Sequence, residues 1–293
     1  MTYYPIYSGG SFFTSDQKLN IINPFNNKVV AITCLADDKL FEHAVISAIK
    51  VKNELAAMPS YKKYSILMEI AGELERNIGY HTELLVSESG KPYKYACAEV
   101  KRAIQTFIIA AEESRRIPRE YISLDWSAQS EKKEGLIRYF PVGIVAGIAP
   151  FNFPLNLAVH KIAPAIAAGC PVILKPSSLT PLSTLALAKI IDKTGLPKGS
   201  VSIIPMNRET GWKLVNDNRI SLLSFTGSPA VFVTDSSTVC PLVLPTALSV
   251  PGLKFSLHIR CRSSGPFIFV PSELSFRNNS TSPQLVYTHT SIS

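Results

Sequence analysis

Between residues 141 and 226 the chain repeats one alternation. A short uninterrupted apolar run is followed by a stretch with helical spacing. "VGIVAGIA" leads to "FPLNLAVHKIAPAIAAG", "PVILKP" to "TPLSTLALAKIIDKTG", "SVSIIP" to "RETGWKLVND", and "ISLLSF" closes the series. A strand without polar alternation needs cover on both faces, which parallel sheets with crossover helices provide. The pattern therefore predicts an α/β fold with a doubly wound parallel sheet. Residues 142–159 run without a charge, about the length of a membrane span. Pro150, Pro154, Asn152, Asn156, Gly143 and Gly147 interrupt that run, so a strand, a turn and a helix start fit it better, and no membrane partner is expected.

Upstream, residues 1–35 read as short strands and turns. Three helical stretches follow. The first spans 37–58, the second is capped by Ser60, and the third runs over 93–116. The turn "ESGKP" ends a helix at Gly90. Residues 117–140 become extended, with two strand-like runs around a polar loop. A projecting hairpin of this kind suits pairing with another subunit. Residues 1–116 and 141–231 are thus read as one domain, with 117–140 as an oligomerisation hairpin. Past Val231 the alternation stops. Residues 232–293 hold twelve serines and two acidic residues, Asp235 and Glu273, and six recurring prolines that rule out helices of normal length. This tail is expected to be poorly ordered.

The net charge is +8, but Lys and Arg are scattered without a basic run or interleaved aromatics. A solvated basic surface fits better than a nucleic-acid site, and a positive field also suits an anionic cofactor. Five cysteines form no CxxC pair. Cys240, His258 and Cys261 are too loosely spaced for a structural zinc site, so no metal is expected. "MTYYPIYSGGSFF" lacks a basic n-region before an apolar core, so a cytoplasmic location is expected.

The run "GIVAGIAPFNFPLNLAVHKIAPAIAAGCPVILKPSSLTPLS", then "SFTGS", with "ESGKP" upstream, resembles the cofactor-binding part of aldehyde dehydrogenases over residues 1–231. The resemblance implies a Rossmann-like domain that uses NAD or NADP in oxidising an aldehyde to a carboxylic acid. It gives Asn152 a catalytic role, its side-chain amide stabilising an oxyanion. The residues alone allow a plainer reading, a cap for the following helix. Ile148, Ala149, Pro150 and Phe151, at the strand end, belong to the implied cofactor site. Lys175 would hydrogen-bond the adenosine ribose, where the residues alone also allow a surface lysine. Ser177 and Ser178 follow. NAD-preferring relatives often carry Glu at the Ser178 position, and a neutral hydroxyl removes repulsion of a 2'-phosphate, which favours NADP. Gly227 and Ser228 resemble the turn beside the pyrophosphate, although the motif is not GxGxxG. The family usually has glycine where this chain has Phe232.

The family's nucleophile context "GQxC" and base context "ELGG" do not occur. Cys240 in "STVCPLV", Cys261 in "HIRCRSS" and Glu273 in "PSELSF" do not match, and Cys170 reads as core. Covalent catalysis needs its nucleophile. The expectation is a truncated, catalytically inactive member without a catalytic domain, ending in an out-of-frame or alternatively encoded tail. Its partners would be a dinucleotide, a second copy through the hairpin, and an aldehyde only in an intact version. Two other readings stand beside it: a non-catalytic dinucleotide-binding or subunit-interaction protein, and a defective product without function.

Overall fold

The computed structural model describes residues 2–227, together with the backbone of 255–259 and 270–271. Five short strands open the chain: β1 (Thr2–Tyr3), β2 (Ile6–Ser8), β3 (Ser11–Phe13), β4 (Lys18–Ile22) and β5 (Val29–Cys34). Four helices follow: α1 (Asp38–Ala57), α2 (Ser60–Arg76), α3 (Ile78–Ser89) and α4 (Tyr93–Arg115). Strands β6 (Arg119–Ser123) and β7 (Glu134–Arg138) form the hairpin. The alternating region gives β8 (Ile144–Ile148), α5 (Pro154–Ala168), β9 (Val172–Lys175), α6 (Leu182–Ile191), β10 (Val201–Ile203), α7 (Arg208–Asn216) and β11 (Ile220–Thr226). Two further strands, β12 (Phe255–Ile259) and β13 (Val270–Pro271), lie where the sequence showed no consistent period.

The main sheet has the order β13-β12-β11-β8-β9-β10-β2-β3. Its centre, β11-β8-β9-β10, is parallel, as the four apolar runs require. Its flanks are antiparallel: β2 pairs with β10, β3 with β2, and β12 with β11. The sheet is therefore mixed, and only its core is the expected parallel unit. Chain order runs β8, β9, β10 to one side, then returns to place β11 on the other side of β8. That reversal is a topological switch point.

Successive core side chains leave opposite faces. Val145, Val172, Leu174, Val201 and Ile203 join the cluster built with α2 to α6. Ile144, Ala146, Ile173, Ile220 and Phe225 join the other cluster, with Phe41, Ala44, Val45 and Ala48 of α1 and Leu214 of α7. Gly169 closes α5 with φ +80, and a Cβ there would meet Leu55 O at 3.1 Å and Ala56 Cα at 3.3 Å. A left-handed backbone and this close approach both require glycine.

Three local expectations are corrected. Ser60 is the first helical residue of α2, not its cap; the cap position is Pro59, which supplies no side-chain bond. The region before Gly90 breaks at Asn77 into α2 and α3, so the helices number four among residues 37–116, not three. Helix α6 stops at Ile191 rather than running on to Gly195.

Helices α5 and α6 begin without side-chain caps of their own, at Phe153 and Pro181. Their first-turn amides find acceptors far away in sequence. Glu99 Oε1 on α4 accepts from Leu155 N at 3.0 Å and Asn156 N at 3.2 Å. The carboxylate of Glu88 on α3 accepts from Leu182 N at 2.6 Å and Ser183 N at 3.1 Å. A carboxylate at a helix start contributes about 1 kcal/mol, up to about 2 when partly buried. Glu99 is also paired with Lys91. Glu88 has no cation partner among the described residues, and burial pushes its carboxyl up to about 7, against the opposing pull of its bonds to Ser183 and Leu182.

Because Glu88 is harder to ionise folded than unfolded, stability should fall as pH rises from its ordinary value of 4.5 through about 7. Urea midpoints at about pH 5 and about pH 8 should therefore differ less in Glu88→Gln than in the unsubstituted protein. Equal differences in the two proteins would count against the assignment.

Candidate functional site

The carboxyl ends of β8, β9 and β11 lie level. Ile148 is in register with Lys175 on one side and with Phe225 on the other. In doubly wound sheets, ligands are met beyond this edge, beside the switch point. Ile148 and Lys175 end their strands here, and Gly227 follows β11 just beyond. Ala149 is buried and its N–H donates to Lys175 O at 3.1 Å, which ties the β8 exit to β9. Pro150 follows, and Phe151 stands exposed.

Asn152 does not cap α5. The cap position is Phe153, and Asn152 Oδ1 accepts from Phe153 N at 3.1 Å. An N–H donor demands the amide oxygen, so this bond sets the orientation of the side chain. The Nδ2 donors are left without an acceptor among the described residues.

Lys175 leaves the end of β9 and runs across α7 at Gly211. A Cβ on Gly211 would come within 2.9 Å of Lys175 Cε, so the glycine makes room for the lysine stem. The ammonium has no hydrogen-bond or ion-pair partner among the described residues, and burial holds its pKa below the ordinary lysine value. A half-buried cation without a counter-charge is costly unless a ligand completes it. Ser178 Oγ, part-buried, donates to Met206 O at 3.4 Å. Ser177 Oγ accepts from Leu179 N at 3.2 Å and closes a local turn.

Gly227 follows β11 and is exposed. A Cβ there would sit 2.5 Å from Cζ of Phe225, so that ring fills the space a side chain would take. Ser228 and Phe232 lie outside the described residues, as do Cys240, Cys261 and Glu273. Of His258, only the backbone is described. Among the described residues, no group of three or more His, Cys, Asp or Glu could hold a metal ion, and no helix is long and apolar enough to cross a membrane.

The structure adds a residue that the sequence reading passed over. Lys161 lies on α5 with 4% of its surface exposed. Its Nζ donates to Thr226 Oγ1 at 2.7 Å and to Leu157 O at 3.3 Å. It thereby ties the helix after β8 to the end of β11, directly across the switch point. Burial lowers its pKa to about 8. The available signal was a lone lysine in the otherwise apolar "FPLNLAVHKIAPAIAAG", on the face that carries Ala158, Ile162 and Ala165. A charge there reads as an interruption unless something specific receives it.

Fold and site together define a doubly wound α/β unit whose carboxyl edge, beside the switch point, carries polar and cationic side chains. The profile of the aldehyde dehydrogenase family matches residues 12–234. The chain belongs to that family. It is 35% identical over 230 residues to a 3-sulfolactaldehyde dehydrogenase of Priestia megaterium, covering 78% of this chain and 48% of the relative. The crystal structure of aldehyde dehydrogenase 21 from Physcomitrella patens, in complex with the reaction product succinate, superposes with a TM-score of 0.76 at 42% identity, over 78% of this chain and 48% of that one. An NADP-dependent glyceraldehyde-3-phosphate dehydrogenase from Bacillus halodurans, complexed with NADP, gives 0.74 at 26% identity, over 77% and 48%. An aldehyde dehydrogenase from Bacillus cereus, complexed with NAD+, gives 0.73 at 28%, over 77% and 46%. The chain spans about half the length of the curated relatives it matches.

Lys161 binds its proton less tightly folded than unfolded, so it subtracts stability below about 8 and ceases to do so as pH rises towards 10.5. Unfolding midpoints should rise more between about pH 7.5 and about pH 10 in the unsubstituted protein than in Lys161→Met. Parallel profiles would show that Lys161 is not buried against Thr226.

Proposed function

We propose that the crevice between β8 and β11 binds NADP or NAD, and that residues 12–234 are the cofactor-binding part of an oxidoreductase converting an aldehyde to a carboxylic acid. The single observation that carries this reading is Lys175. It is a half-buried cation without a partner among the described residues, at the carboxyl edge where this fold meets its cofactor. Ile148, Ala149, Pro150 and Phe151 form one wall. Lys175 and Ser178 meet the adenosine ribose, with Ser177 shaping the turn between them. Gly227 and Ser228 meet the pyrophosphate. With Ser178 in place of a carboxylate, nothing at that position repels a 2'-phosphate, which favours NADP. The bound dinucleotide supplies the hydride acceptor. Asn152 offers its Nδ2 to the oxygen on which negative charge develops.

As it stands this chain is read as catalytically silent. Among the described residues Cys34 and Cys170 are buried, and Cys97, on α4, stands outside the family's nucleophile context. The family match ends at residue 234, close to where the strand–helix alternation stops, which supports reading the rest as unrelated to a catalytic domain. A second reading rests on the hairpin. Strands β6 and β7 pair with one another in a sheet of their own and expose Tyr121, Trp126, Leu136 and Phe140. A lone two-stranded hairpin is marginal in water. Docking of a second copy, or of a full-length relative, would cover that surface, so the chain would also serve as a subunit-interaction module.

Titrating the chain with NADPH and NADH, and following nicotinamide fluorescence, should show saturable binding of both. Lys175→Ala should weaken both, by about tenfold or more. Ser178→Glu should weaken NADPH about tenfold more than NADH. Absence of binding, or a Ser178→Glu variant that treats the two alike, would refute the corresponding part of the reading.

A further inference from the structure

The residue offered as oxyanion donor sits on a short loop, yet the start of α5 that holds it has no cap within its own sequence. Asn152 is fixed through Phe153, whose N–H donates to Asn152 Oδ1 at 3.1 Å. Phe153 is the cap position of α5 and gives no side-chain bond to the helix. What anchors this segment comes from elsewhere. The Lys91 ammonium lies 4.3 Å from the centroid of the Phe153 ring, and the Arg102 guanidinium lies 5.6 Å from it. Lys91 also forms an ion pair with Glu99. Glu99, 1% exposed, spends its other oxygen on the amides of Leu155 and Asn156 in the first turn of α5.

These contacts make one chain of fixed geometry. The turn "ESGKP" and helix α4 reach across to the helix after β8 and hold both its amide end and its first aromatic ring. We propose that Glu99 and Lys91 are positioning residues for Asn152, setting the direction of its Nδ2 donors through the first turn of α5 and the ring of Phe153. Neither residue touches the place where a reacting group would sit. Both act through the backbone and ring beside Asn152. The arrangement is sharper than ordinary helix capping. A water molecule or a serine at the cap could satisfy the same amides, but neither would hold the Phe153 ring. The electrostatics agree: Glu99 meets the positive end of α5, and Lys91 balances the buried carboxylate while its ammonium lies over the Phe153 ring. The proposal rests on the role given above to Asn152.

The test uses the full chain, labelled with nitrogen-15. The side-chain amide pair of Asn152 is identified by its loss in Asn152→Ala. Lys91→Met and Glu99→Gln should each shift that pair towards the values of a free asparagine. Lys91→Arg should restore the original signals, because a guanidinium can both pair with Glu99 and lie on the Phe153 ring. A role confined to stability would lower the unfolding midpoints of these variants and leave the Asn152 signals unmoved. That result in folded Lys91→Met overturns the proposal, as does failure of Lys91→Arg to restore the signals. Lys91 is partly exposed, so its variants keep the test decisive even where Glu99→Gln does not fold. The readout is taken on the free protein. Failure of dinucleotide binding would overturn the proposed function and leave the position of Asn152 measured all the same.

Discussion

Strands β8, β9, β10 and β11 carry apolar side chains on both faces, and nothing else in the chain can be arranged until both are covered. Helices α2 to α6 take one face and α1 with α7 take the other. The chain reverses its direction of travel across the sheet after β10, and that reversal puts a topological switch point between β8 and β11. Site and core are therefore one solution. Polar and cationic residues stand at that edge, part-buried at Asn152, Lys175 and Ser178 and buried at Lys161, whose Nζ meets Thr226.

Buried charge shows how the edge is tuned. Glu99 sits beside Lys91 and two amides, and Glu88 has two amides alone. Desolvation opposes each charge, and the amide bonds at a helix start offset part of it. Lys161 is treated differently, receiving a hydroxyl and a carbonyl but no carboxylate among the described residues. Burial perturbs Glu88 and Lys161, and perturbed groups cluster at functional sites. Glu99 already occupies the amide end of α5 and Glu88 that of α6.

Much of this was legible in the sequence because it is local. Four apolar runs and their helical partners identify the sheet, and the motifs at the strand ends put Asn152, Lys175 and Gly227 at its carboxyl edge. The unread parts depend on distant partners. Glu99 and Glu88 look like ordinary helix-surface carboxylates until Leu155 and Leu182 come to meet them. β2 pairs with β10 at a single position, Tyr7 with Ile203, which no spacing rule could show. The break at Asn77 is one residue of non-helical backbone inside a stretch with continuous helical spacing. Ser60 looked like a cap because serine favours that place, but Pro59 took it.

The central claim, that the carboxyl edge between β8 and β11 is a dinucleotide site, is tested most directly by amide hydrogen exchange with and without saturating NADP. The account predicts added protection in peptides covering 148–153, 175–179 and 226–227, with the hairpin at 119–138 unchanged. Protection confined to the hairpin, or no change at the three strand ends while NADP is bound, would contradict it.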